Sequence, residues 1–328
     1  MSEWSAWAAL RPWTATGAQQ QCAIMMRETK EMNIIPFEPG MAAEIARCYN
    51  SIIAHVPHCR PVSAETFATM EGLACSACRE EALLVVRETN GEIAGFVHVG
   101  VAVPPTEEWH PQDEPGVIRF LGYPPGRRHA GKALLESAEN WARERRRSAM
   151  IAWGVLYKYP FYHLPHGLLS ERLPHISALL GVDGYQLMDW SEVFYEWRDF
   201  TPPRVERPDL DLEMKAQKLS NLAHDLPGIS VDVLAGTDRG TWGGRCVMLR
   251  IDSNWCFCDG LGVSEQLQAK GLGKYLLATS LEQMQRDGCR HALISTDGNN
   301  HRAQLFYSNF GFTFCDRTTC FRKPLAVS

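Results

Sequence analysis

The stretch EQLQAKGLGKYLL (265–277) sets Gly271 and Gly273 one residue apart, flanks them with Lys270 and Lys274, and continues into an apolar run. Glycines so placed let a backbone come close to an anion, because no Cβ stands in the way. Three phosphate-holding patterns can be compared with it. A dinucleotide turn needs G-x-G-x-x-G, and its third glycine position is Leu276. A P-loop ends in Lys followed by a hydroxyl residue for magnesium; GRRHAGKA (126–133) comes near, but Ala133 replaces the hydroxyl. The third pattern, Q/R-x-x-G-x-G/A between a strand and a helix, fits twice: Gln268-x-x-Gly271-x-Gly273 and Arg128-x-x-Gly131-x-Ala133. Backbone amides at a helix start, with the helix dipole behind them, suit a pyrophosphate.

The double match points to an internal repeat. RHAGKALL (128–135) aligns with QAKGLGKYLL (268–277), and DGYQL (183–187) with FGFTF (310–314). Gly131 and Gly184 stand 53 positions apart and Gly271 and Gly311 stand 40 apart, so the first half is longer. The added residues fall in the aromatic segment GVLYKYPFYHLPHGLL (154–169), which reads either as a loop covering an inter-domain surface or as part of an acceptor pocket. NIIPF (33–37) predicts a strand, PGMAAEIARCYNSII (39–53) an amphipathic helix, and ALLVVRETNGEIAGFVHVG (82–100) a hairpin turning at Asn90-Gly91. TPPRVERPDL (201–210) predicts a linker and EMKAQKLSNLAHDL (213–226) a helix stopped by Pro227-Gly228. Strands are expected over 229–235, 245–251, 255–264 and 291–297, with helices over 268–286 and 301–311. The expected organisation is an extension over 1–31, a first domain over 32–200, the linker 201–210 and a second domain over 211–328.

A chain of 328 residues has room for two such domains. Its 45% apolar and 22% charged residues describe a globular protein with an adequate core. A net charge of −5 argues against a nucleic-acid binder, and RERRR (143–147) reads as a solvated helix face. The start MSEWSAWAALRPW lacks a basic region followed by a continuous apolar stretch. No apolar run reaches the roughly 18 residues a membrane span needs. Eleven cysteines without a leader imply reduced thiols and a cytoplasmic protein. Neither Cys75 with Cys78 nor Cys256 with Cys258 has the partners a zinc site wants, and Pro165 stands between His163 and His166. No metal is expected.

LGVSEQLQAKGLGKYLL (261–277) together with NNHRAQLFYSNFGF (299–312) resembles the two signature motifs of the GCN5-related N-acetyltransferases, the GNAT superfamily. The resemblance covers the second half well, from about residue 229 to the end, and is fainter over 33–200. It implies an α/β protein of two tandem GNAT-like domains, each a mixed, mostly antiparallel central sheet flanked by helices. It implies acetyl-CoA as co-substrate, held by Leu261, Val263, Gln268, Ala269, Lys270, Gly271, Leu272, Gly273, Lys274, Asn300, Ala303, Phe306 and Tyr307. Amide formation from a thioester needs a base for the amine, donors for the oxyanion and a proton for the departing thiolate. By resemblance, Asp259 stands at the base position and Tyr307 at the acid position. The first half has Arg119, Leu173 and Leu180 where the second has Asp259, Asn300 and Tyr307, so Arg128, Gly131 and Ala133 mark only a second possible coenzyme site. The expected activity is N-acetyl transfer to a primary amine of a small molecule or peptide; the alternative is a non-catalytic acyl-CoA-binding or regulatory protein.

Overall fold

The computed structural model describes residues 32–70, 73–103, 114–157, 159, 161–163, 166–219, 227–235 and 241–326. The extension 1–31 lies outside the described residues, as do four positions of the aromatic segment. The first half runs β1 (Asn33–Pro36), α1 (Ala42–Ile53), β2 (Cys78–Arg87), β3 (Ile93–Ala102), β4 (Gly116–Gly122), α2 (Arg128–Glu144), β5 (Ala149–Ala152), β6 (Leu169–Ser170), α3 (Pro174–Val182) and β7 (Gln186–Trp197). The second half runs β8 (Leu212–Leu219), β9 (Gly228–Ala235), β10 (Thr241–Arg250), β11 (Trp255–Val263), α4 (Leu272–Arg286), β12 (His291–Asp297), α5 (His301–Phe310) and β13 (Thr313–Pro324).

Local sequence explains most of these elements. Gly91 takes φ 86° in the turn that joins β2 to β3, a conformation Asn-Gly turns favour. Helix α1 is entered through a short 3-10 turn at Pro39 and buries Ile45, Tyr49 and Ile52 on one face. Helix α4 begins at Leu272 rather than at Gln268, because Gly271 before it holds φ 83° and Glu265–Leu267 form a separate 3-10 turn.

One expectation is overturned. The described part of 213–226 is not a helix: Leu212–Leu219 pairs along its whole length with β9, from Leu212↔Ala235 to Leu219↔Gly228. Residues 220–226 lie outside the described residues. The segment is rich in helix formers, but it borders a strand whose edge needs a partner, and pairing outweighs propensity. Exposed Lys215 and Lys218 on this outermost strand are the usual guard against further pairing.

The strands form one sheet in the order β1-β2-β3-β4-β5-β13-β7-β12-β11-β10-β9-β8, with β6 beside β13. Pairing is antiparallel except between β4 and β5 and between β11 and β12, where a helix makes the crossover. The two central strands are exchanged. β7, from the first half, lies against β12 and sends Val193 and Tyr195 into the second half's core. β13, from the second half, lies against β5 and sends Phe321 into the first half's core, where Leu325 joins it. Neither β5 nor β7 has an assignment in the sequence reading above.

Candidate active site

Strands β11 and β12 pair in parallel only from Trp255↔His291 to Cys258↔Ile294. Beyond that rung they part. β11 continues against β10 alone, reaching Gly244↔Val263, while β12 continues against β7 alone, reaching Asp297↔Glu192. The last residues of both strands therefore face a gap with one hydrogen-bonding edge each unclaimed by the other. A register shift opposite Val247 and Met248 places the bulge at Asp259, the first residue past the parting.

A cleft of about 480 Å³ runs along the gap. Leu261 and Val263 of β11 form one wall, and Asn300, Ala303, Phe306 and Tyr307 of α5 the other. The turn and first residues of α4 close it with Gln268, Ala269, Gly271, Leu272, Gly273 and Lys274. Arg302 also lines it, a residue the sequence reading omits because its meeting with Gln268 depends on how α5 faces the turn. Lys270 is exposed and does not line the cleft, and Asp259 is exposed at the bulge and does not line it either.

The glycines keep this space open. A Cβ on Gly271 would meet no atom within 4 Å, and one on Gly273 would touch only Val263 Cγ2 at 3.6 Å. Ala269 and Gly271 both hold left-handed backbone, with φ 61° and 83°. The amides of the first turn of α4 have no carbonyl ahead of them within the helix and are available to an anion. Gln268 ties the turn to the strand: its Nε2 donates to the Val263 carbonyl at 3.2 Å, and its Oε1 accepts from Arg302 Nη1 at 3.0 Å. Asn300 caps α5, its Oδ1 accepting from the Ala303 amide at 3.1 Å.

Tyr307 sits at the apolar end, 6% exposed, with its ring 6.1 Å from Tyr195. Burial pushes its phenol well above the usual range, and the thiols of Cys258 and Cys246 and the carboxyl of Glu192 push it further. The phenol therefore keeps its proton at neutral pH.

The first half repeats the plan with the space filled. Tyr123 occupies the position of Val263, and a Cβ on Gly131 would lie 2.3 Å from its ring. The Tyr123 hydroxyl donates to the His175 carbonyl at 2.9 Å, and His175 Nε2 donates back to the Tyr123 carbonyl at 2.9 Å. These bonds latch α3 onto the end of β4, where α5 and β11 stand apart in the second half. Arg119, in the place of Asp259, is buried and donates to the Tyr157 carbonyl at 3.0 Å and to the Glu81 carboxylate. Arg128 is the first residue of α2, and Ala133 follows in its second turn.

Residues 189–312 match the family model described as Acetyltransferase (GNAT) family. Among solved structures, a tandem GNAT protein from the clavulanic acid biosynthesis pathway, determined without AcCoA, is similar with a TM-score of 0.62 and 16% identity, over 91% of this chain and 100% of its own. A GCN5-related N-acetyltransferase from Sphaerobacter thermophilus gives 0.59 and 17%, over 89% and 95%. A glucosamine N-acetyltransferase region of a fungal multi-domain β-N-acetylglucosaminidase gives 0.62 and 12%, over 90% of this chain and 38% of that one. No curated protein matches the chain.

Proposed function

We propose that this chain, a protein of tandem GNAT fold whose second half matches the GNAT family model, transfers an acetyl group from acetyl-CoA to a primary amine of a small molecule or peptide. The parted strands carry the reading, because they open onto the glycine turn at one end and Tyr307 at the other. The pyrophosphate fits the first-turn amides of α4, with Lys274 and Arg302 adding positive charge. The pantetheine amides fit the unclaimed edges of β11 and β12, as a peptide adds to a sheet edge. That track leads the thioester toward Tyr307, which supplies the proton taken up by sulfur. Where Tyr123 packs on Gly131 inside α2, that half serves as scaffold. Among the described residues each cysteine is a free thiol, which supports a reducing, cytoplasmic setting. No described helix is long and apolar enough to cross a membrane.

Calorimetric titration of acetyl-CoA tests the reading. One site is expected, lost in Gly271→Glu and retained in Tyr307→Phe, with Tyr307→Phe losing about 100-fold or more in turnover. Two sites would make the first half a binder as well. Equal turnover in Tyr307→Phe would remove the acid role, and no binding by wild type would end the transferase reading.

A further inference from the structure

On the opposite face of the same sheet, the two exchanged strands build a polar patch. Residues directly opposite each other across a ladder share a face, with Cβ atoms about 5 Å apart. Glu192 of β7 is opposite Asp297 of β12 on one side and Thr318 of β13 on the other. One rung along, Phe194 is flanked by Ser295 and Asp316. His163 and His166 of the first half lie over this face. His163 Nε2 lies 2.8 Å from Asp316 Oδ2 and its ring 4.6 Å from that of Phe194; His166 stands 6.0 Å from Phe194 and 5.9 Å from Phe257. Among the described residues, Glu192 Oε2, Thr318 Oγ1 and His163 Nδ1 are buried with no hydrogen-bond partner, and Thr318 and His163 are fully buried. Orphaned polar atoms clustered in one place are costly unless something satisfies them.

The place of the cluster matters. Glu192 pairs at the end of β12, the strand that borders the gap. It is level with Asp297, past the rung where β11 and β12 separate, and its charge is felt by Tyr307 on the helix side. The gap is thus flanked by an acid on one face and a carboxylate on the other.

We propose that the amine acceptor binds on this face, and that Glu192, on a strand the first half lends to the second, is the base that takes its proton. This rests on the transferase reading above. A primary amine offers a donor that the Glu192 carboxylate lacks, with exposed Asp297 adding negative charge. The nitrogen lone pair forms the bond to the thioester carbonyl carbon, and the nitrogen gives a proton to Glu192. As the carbon–sulfur bond breaks, sulfur takes the Tyr307 proton, which solvent restores. Burial lifts the Glu192 carboxyl to about 7, against an opposing effect of Ser295 that outranks the smaller lift from the nearby Asp297 charge. A base works best near the ambient pH. The other groups facing it are Thr318 and Asp316 on β13, His163 and His166 above, Asp259 across the gap and Tyr307 beyond the sheet. Asp259, exposed at the bulge, is displaced from the base role.

The test compares wild type, Glu192→Gln and Asp259→Asn with acetyl-CoA and benzylamine, spermidine or a lysine-containing tripeptide from pH 5 to 9, and measures acetyl-CoA affinity by calorimetry. Glu192→Gln should keep the wild-type affinity, lose about 100-fold or more in kcat/KM, and lose the inflection near pH 7. A Glu192→Gln profile like that of wild type overturns the proposal, and so does an inflection removed by Asp259→Asn alone. Should wild type use none of these amines, the slow hydrolysis of acetyl-CoA is read instead, with water as the acceptor; equal hydrolysis in Glu192→Gln overturns the proposal. Wild type that binds no acetyl-CoA overturns the transferase reading itself, and calorimetry shows that before any amine is added.

Discussion

A single side chain separates the two halves most sharply. Val263 leaves room beside Gly271 and Gly273, whereas Tyr123 at the equivalent place fills it. Alanine at Gly131, inside α2, and at Gly273, at the start of α4, should therefore act in opposite ways. Gly131→Ala drives a methyl into the Tyr123 ring and should cost about 1–3 kcal/mol, seen as a lower midpoint in urea. Gly273→Ala, early in α4, should keep or gain stability by up to about 1 kcal/mol while weakening acetyl-CoA binding. Glu192 gives a second contrast, in pH. Its folded carboxyl holds a proton up to about 7, against an ordinary value of 4.5, so the folded state binds more protons between those limits. Stability from this group is complete below 4.5 and falls as pH rises through about 7. Glu192→Gln should accordingly gain at most about 3 kcal/mol at pH 8 and little at pH 4, as thermal melts would show. The glycines, Gln268, Asn300 and Tyr307 are legible in the sequence because their spacing is local. Tyr123 as a plug is not, since a tyrosine before a glycine turn looks the same whether it packs on it or away.

Among the elements, those set by neighbours in the chain read true and those set by distant partners did not. The Asn90-Gly91 hairpin, the Pro39 entry to α1 and the glycine entry to α4 each carry their own signal. β8 does not, because its composition suits a helix and only the edge of β9 makes it a strand. β7 also escapes the pattern. QLMDWSEVFYEW (186–197) has neither clean alternation nor a long apolar run, since it is paired on both sides and buries Val193 and Tyr195 on one face and Phe194, beside Glu192, on the other. Arg302 shows the same limit within the cleft: its neighbours follow a motif, but its meeting with Gln268 depends on how α5 faces the turn. The parting of β11 and β12 is likewise invisible in either strand alone.

At the scale of the molecule, the exchange makes the halves one folding unit. Fragments divided at 201–210 would each keep the other's strand: 32–210 would lose β13 beside β5, and 211–326 would lose β7 beside β12. Each should be insoluble alone and recover when the two are expressed together, and the intact chain should melt in one calorimetric transition. Two resolved transitions would show that the halves hold themselves. The exchange also has a consequence in time. A ribosome makes β5 about 160 residues before β13, a wait of roughly 10–30 s at ordinary translation rates. Throughout that interval the nascent first half presents an unpaired strand edge of the kind that recruits strands from other chains. On a crowded polysome, a finished β13 from one copy could seal the edge of the next, so swapped dimers should increase with synthesis rate and diminish when translation is slowed ahead of residue 152.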